Sequence, residues 1–87
     1  MVLTFGHLKE IWGPSPSAAK INYSDVLGPV CTDTRRLVKG DFFIPLIGEN
    51  FNGHNFIPQA YRCGAQGLVI DNNYDQPIPK EFIYWRV

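Results

Sequence analysis

Between residues 32 and 54 the chain runs TDTRRLVKGDFFIPLIGENFNGH, and its best candidates for chemistry fall in this stretch. Thr32 and Thr34 alternate, so in extended geometry their hydroxyls face the same way. Each hydroxyl donates and accepts, which suits a base edge or a ribose. Arg35 suits a phosphate, or else pairs with a carboxylate of its own domain, in which case Asp33 and Arg35 simply tie the loop down. Glu49 and Asn50 follow Gly48, where the chain can turn sharply and present backbone N–H groups to a flat polar ligand or an anion. Glu49 repels a phosphate, so a ribose hydroxyl or a base N–H is its better partner. Phe51 offers an apolar face to a base, or staples the loop to the core; the residues leave both open. Gly48 and Asn52 bound this second loop. Two polar loops flanking one buried strand can meet at the same edge of a sheet, and together they point to a small polar ligand.

Harder chemistry is not encoded. His54 could act as a base or ligand near neutral pH, but at the start of a helix a histidine more often caps or hydrogen-bonds a loop. His7, on the first helix, reads as a partly exposed side chain. Asp33, Asp41, Glu49 and His54 match no metal-ligand spacing, so no metal site is expected. No Ser, Cys or Thr has a base and an orienting third group in any recognisable arrangement. Neither G-x-x-x-x-G-K-[ST] nor G-x-G-x-x-G occurs, which excludes a phosphate-cradling P-loop and a dinucleotide fingerprint from these residues.

These loops need a scaffold, and 87 residues supply one small domain with a modest core. Apolar residues at 45% and aromatics at 14% argue for a folded chain rather than a disordered one. Eight basic and eight acidic residues leave no net charge, which removes the electrostatic case for nucleic acid or an anionic membrane as partner. No apolar run approaches the roughly 20 residues of a membrane span, and the N-terminus carries no signal-peptide pattern, so a cytoplasmic location is expected. Cys31 and Cys63 sit in apolar settings and are expected to be buried free thiols. The run Phe82 to Val87 is apolar and strand-like, and a chain stopping inside it is expected to be a domain of a longer protein.

Leu3, Leu8, Ile11 and Trp12 lie roughly on one helical face, with Thr4 as N-cap and Gly13-Pro14 as terminator. Pro14 to Ala19 is a small-residue loop of low information. Ile21 to Tyr23 is a short strand candidate, and Val30 to Thr32 another. Phe42 to Ile47 is apolar throughout, as in a sheet covered on both faces; Pro45 forces a bulge or an unpaired side. Asn52 to Asn55 cap a helix over about 56–63, with Pro58 tolerated in its first turn and Gly64 as terminator. Gly67 to Ile70 and Phe82 to Trp85 are strands. Strand, helix and strand over 42–70 make a βαβ unit, and the expected class is α/β.

These motifs, TDTR at 32–35, GDFF at 40–43, GENFNGHNF at 48–56 and AYRCGAQGLV at 60–69, resemble the N-terminal domain of the Mur ligases of bacterial peptidoglycan synthesis. The opening VLTFGHLKEIWG is also similar to that domain's first helix, so the resemblance covers nearly the whole chain. The GENF form is closest to the branch adding D-alanyl-D-alanine to UDP-N-acetylmuramoyl-tripeptide, with the branch adding the third stem-peptide residue as the alternative. The resemblance implies an α/β fold, a small mixed sheet flanked by helices, that serves as a UDP-binding domain, the first of three in a ligase. The alternative of another class is a stand-alone interaction or regulatory module on the same scaffold. ATP and Mg would act in the central domain, and amino-acid recognition would lie in the C-terminal one. No cofactor is implied for this chain itself. The partners implied are the UDP-N-acetylmuramoyl-peptide and those two domains. Carried over position by position, Thr32 and Thr34 match uridine-contacting positions, and Glu49, Asn50 and Phe51 match the loop along uridine and diphosphate. Arg35, Gly48 and Asn52 are further candidates. Departures are Pro45 for a small residue, Lys39 for a frequent proline and Asn52 for a frequent aspartate.

Overall fold

Apolar runs without alternation make strands where both faces of a sheet are covered, and Phe42–Phe43 and Gly67–Ile70 meet that condition. The computed structural model describes residues 2–17, 19–48 and 51–87, with the backbone alone described at 47, 48 and 51. In chain order its elements are α1 (Phe5–Trp12), β1 (Val30–Cys31), β2 (Phe42–Phe43), β3 (Ile47–Gly48), β4 (Phe51–Asn52), a 3-10 turn (Gly53–Phe56), α2 (Ile57–Arg62), β5 (Gly67–Ile70) and β6 (Ile83–Arg86). Strands β1, β2, β5 and β6 form one sheet in that order, every pair parallel. The antiparallel pairing is confined to a separate β3–β4 ribbon. The expected α/β class holds, and β2–α2–β5 is the βαβ unit.

Successive strand residues point to opposite faces, and the core divides accordingly. On the α2 face Phe43, Leu68, Ile70 and Phe82 pack with Ile57 and Ala60. On the α1 face Phe42, Val69 and Trp85 pack with Phe5 and Leu8. Trp85 anchors the second cluster, stacked on Phe5 at 6.0 Å between centroids and donating from Nε1 to the Gly13 carbonyl at 2.8 Å. Gly64, at φ 85°, ends α2 in the left-handed region, as its position in the sequence implies.

Several elements differ from the sequence reading. Helix α1 buries Phe5 and Leu8, while Ile11 is 68% and Trp12 41% exposed. Leu3 lies before the N-cap, and its carbonyl accepts from Leu27 N–H at 2.7 Å. Ile21 to Tyr23 form no strand: the Tyr23 and Asp25 carbonyls instead accept the Gly6 and Phe5 amides at the start of α1. Phe42 to Ile47 is not one strand. The Ile44 amide still bonds the Cys31 carbonyl at 2.9 Å, but Pro45 has no N–H to continue the ladder, and the chain leaves for the ribbon. Gly53 returns against this departing segment, its N–H donating to Leu46 O at 2.6 Å. A Cβ there would lie 2.7 Å from Leu46 N, so only glycine fits. Cys31 and Cys63 are free thiols but neither is fully buried: Cys31 is half-buried on the edge strand β1, and Cys63 is exposed, being past the last buried position of α2. The supposedly uninformative loop after α1 covers the edge of β6: Ser15 and Ser17 hydroxyls donate to the Tyr84 and Phe82 carbonyls at 2.6 and 2.7 Å.

Candidate functional site

In a parallel sheet all strands end at the same edge, and the polar loops gather there. After β1 the chain does not stay extended. Asp33 accepts from the Arg35 backbone N–H at 2.9 Å, an Asx-type turn, and its carbonyl accepts from Arg36 N–H at 3.0 Å. The Arg35 guanidinium folds back on Asp33 through Nε and Nη2 at 2.9–3.2 Å. Hydrogen bonding to Arg35 lowers the Asp33 pKa from its ordinary value, and the same pair raises that of Arg35. The bland alternative for these two residues, a loop tied down internally, is therefore realised, although the guanidinium stays 85% exposed.

Thr32 and Thr34 nevertheless share one cavity of about 510 Å³ with Asp33, Arg35, Phe43, Phe56 and Gln59, a size within the roughly 300–1,000 Å³ range of small-molecule sites. Phe43 comes from β2, and Phe56 and Gln59 from the turn and helix opposite the loop. Thr34 is 8% exposed, and its hydroxyl has no partner among the described residues. No buried side-chain oxygen or nitrogen among those residues lacks a partner, so the Thr34 hydroxyl keeps access to the cavity. Thr32 is exposed, with its hydroxyl equally uncommitted among the described residues. The result is a partly apolar hollow whose lining includes two hydroxyls uncommitted among the described residues, suited to a planar polar group. Phe43, Phe56 and Gln59 escaped the sequence reading. The one available signal was the i, i+3 spacing of Phe56 and Gln59 just after the second loop.

The second loop is only partly visible. Gly48 and Phe51 are register partners in the ribbon, as are Ile47 and Asn52, whereas Glu49 and Asn50 lie outside the described residues. Asn52 lines a neighbouring cleft of about 340 Å³ with His54, Asn55, Asp71, Tyr74 and other polar residues, rather than the threonine cavity. Its Oδ1 accepts from the His54 backbone N–H and faces His54 Nδ1, each at 2.9 Å. His54 is 5% exposed, and its Nε2 accepts from the Asp71 backbone N–H at 2.9 Å. Burial lowers the His54 pKa from its ordinary value, with Asp71 opposing more weakly. His54 thus does the loop-bonding expected of it, while the cap of the turn is Asn52. His7 Nδ1 likewise accepts the Thr4 amide at 2.8 Å. Among the described residues no group of His, Cys, Asp or Glu could hold a metal ion, and no helix is long and apolar enough to cross a membrane.

No protein-family model matches the chain. Over 42 residues, 48% of the chain and 9% of the relative, it is 60% identical to the UDP-N-acetylmuramoyl-tripeptide–D-alanyl-D-alanine ligase of Synechocystis. Identity to the Bacillus subtilis ligase of the same name is 42% over 52 residues, 60% of the chain and 11% of the relative. A UDP-N-acetylmuramoyl-L-alanyl-D-glutamate–2,6-diaminopimelate ligase of Gloeobacter violaceus is 47% identical over 49 residues, 56% of the chain and 10% of that protein. The crystal structure of MurF from Acinetobacter baumannii superposes on 100% of the chain and 18% of its own, with a TM-score of 0.69 and 26% identity. The ADP complex of MurF from Thermotoga maritima shares the fold over 70% of the chain and 13% of its own, with a TM-score of 0.56 and 23% identity. The chain is thus similar in sequence and fold to MurF ligases, and spans about a tenth of the length of these curated relatives.

Proposed function

We propose that residues 1–87 are the UDP-substrate-binding domain of a MurF-type ligase, a cytoplasmic enzyme of peptidoglycan synthesis. In this reading the domain holds the UDP end of UDP-N-acetylmuramoyl-tripeptide while other domains add D-alanyl-D-alanine to the peptide end. The observation that carries it is the cavity of about 510 Å³ lined by Thr32 and Thr34, whose hydroxyls have no partner among the described residues. A uracil or ribose fits such a hollow by hydrogen bonding its edges to hydroxyls while its face lies against Phe43 or Phe56. Arg35 keeps Nη1 free of Asp33 for a phosphate, and Gly48, Glu49, Asn50, Phe51 and Asn52 complete the site along the nucleotide.

The contribution of such a domain to rate is orientation. A remote handle, fixed at one end, delivers the reacting carboxylate to chemistry performed elsewhere. ATP and Mg would supply that chemistry by phosphorylating the carboxylate in the parent ligase. The residues here do not fit either group, since the chain has no P-loop and its described residues have no metal cluster. The domain by itself is therefore expected to bind without turning over. A MurE-type parent is the second reading, supported by the diaminopimelate ligase likeness. Titration of the ¹⁵N-labelled domain with UDP-N-acetylmuramoyl-tripeptide, and with UDP for comparison, tests the proposal. Saturable shifts at Thr32, Thr34 and residues 48–52, largely reproduced by UDP, are expected. A folded sample unmoved at millimolar ligand refutes it.

A further inference from the structure

His54 has a hydrogen bond at each ring nitrogen, and together they define its proton. The Asp71 backbone N–H can only donate, so the Nε2 it meets at 2.9 Å must carry the lone pair. Nδ1 then carries the hydrogen and donates to Asn52 Oδ1 at 2.9 Å. That oxygen also caps the turn by accepting the His54 amide. The ring is thus a short rigid bridge from the last residue of β4 to the residue just after β5, at the sheet edge where the threonine cavity also lies. Through the register Ile47↔Asn52 and Gly48↔Phe51, whatever holds Asn52 also holds the ribbon.

We propose that His54, as the neutral Nδ1–H tautomer, is a positioning residue that latches the β3–β4 ribbon to the end of β5 and so sets the second nucleotide-contacting loop, and that protonation of the ring opens the latch. This rests on the reading under Proposed function. Imidazolium would set an Nε2–H against the Asp71 N–H, donor against donor, so the bridge cannot survive in that form. Asp71, at the end of β5, is the carboxylate that favours the charged ring. In the segment after β5, Asp75 lines the same cleft and the Tyr74 ring lies 5.2 Å from the imidazole. The first turn after Asn52 has no acid, and the hollow on the ring's other side is lined largely by apolar residues such as Ile44, Leu46 and Val69. Burial outweighs Asp71, and the folded pKa lies below the ordinary value of 6.5. The latch is therefore complete above the unfolded-chain pKa and is lost as pH falls through the folded one.

The test begins on the ligand-free domain, with long-range ¹H–¹⁵N spectra of the imidazole followed from pH 8 to pH 5. The Nδ1–H tautomer is expected, with the Asp71, Asn52 and Gly53 amides shifting at the ring's own midpoint. The Nε2–H tautomer, or a ring that titrates while those amides stay still, overturns the proposal. Calorimetric titration with UDP-N-acetylmuramoyl-tripeptide, whose diphosphate is esterified at both ends, should then show affinity roughly tenfold weaker below that midpoint than above it, the equivalent of one hydrogen bond. His54→Gln keeps an acceptor for Asp71 and cannot titrate. It should bind within a few-fold of wild type at neutral pH and lose the pH dependence. Equal wild-type affinity on both sides of the midpoint, or an unchanged pH profile in the folded Gln variant, sinks the latch. If the nucleotide binds at no pH, the proposed function fails, and the ligand-free spectra alone decide on the latch.

Discussion

Thr34→Val removes one oxygen from the wall of the cavity while leaving the shape of the side chain almost unchanged. Thr34 is 8% exposed and its hydroxyl has no protein partner among the described residues, so folding gains nothing from that oxygen. Stability in urea should stay within about 0.5 kcal/mol of wild type, as for substitutions that touch no internal interaction. Binding should suffer. A hydrogen bond to a neutral base or ribose atom is worth about 0.5–1.5 kcal/mol net, or roughly a two- to twelvefold rise in Kd. A bond to a phosphate oxygen, at about 1.5–3 kcal/mol, would instead raise Kd by well over tenfold. Calorimetry with UDP-N-acetylmuramoyl-tripeptide on both proteins therefore reports whether the hydroxyl is used and which part of the nucleotide it meets. Two results would refute the reasoning. An unchanged Kd in a folded variant means that the ligand does not use this hydroxyl. A loss of more than about 1 kcal/mol in urea means that the hydroxyl had an internal partner after all.

Arg35→Ala should leave urea stability essentially unchanged, because its pair with Asp33 is solvent-screened, the side chain being 85% exposed; a clear loss of stability would make Arg35 a structural keystone. Gly28→Ala should cost more than about 2 kcal/mol by chemical denaturation, since the new Cβ would fall 2.0 Å from the Gly40 carbonyl oxygen, a backbone atom that cannot step aside. Trp85→Phe should cost about 1–3 kcal/mol through lost ring contacts and the lost bond to Gly13 O. It should also remove most of the unfolding-sensitive emission, because the other tryptophan, Trp12, is already 41% exposed.

Local chemistry made much of this fold legible. Gly64 had to end a helix, Thr4 had to start one, and Gly67–Ile70 could only be a strand covered on both faces. Pro45 made Phe42–Ile47 ambiguous, and the ambiguity resolved into two elements of different sheets. Helical periodicity misled at α1, because a two-turn helix whose ring anchor is its first residue has no need of Ile11 or Trp12 in the core. Ser15 and Ser17 were illegible for another reason. Their partners, the Tyr84 and Phe82 carbonyls, are more than sixty residues away, and nothing local distinguishes an edge-capping hydroxyl from a solvated one. The site divides the same way. Thr32, Thr34 and Arg35 were visible as residue types, whereas Gln59 and Phe43 enter the cavity only through packing of α2 on the sheet.

The two edges of the sheet use their polar groups differently, and this argues for where a ligand goes. At the strands' amino ends Gln66 is saturated: Oε1 accepts from Gly28 N–H, Nε2 donates to Val26 O, and its backbone N–H donates to Asp41 O, all within 2.8 Å. Gly40 N–H is matched there to Gly64 O. The chain packs closely at that edge, where a Cβ on Gly28 would fall 2.0 Å from the Gly40 carbonyl oxygen. At the carboxyl ends, among the described residues, Asp33 ties the turn after β1 and the Asn52–His54–Asp71 bridge ties the end of β4 to the end of β5. Yet among the described residues the Thr32 and Thr34 hydroxyls have no partner. A rigid frame carrying unsatisfied donors and acceptors is the arrangement that binds without reorganising, because the ordering cost has already been met by folding. If the proposed site takes a nucleotide, release of the proposed histidine latch would restore part of that cost to the β3–β4 ribbon.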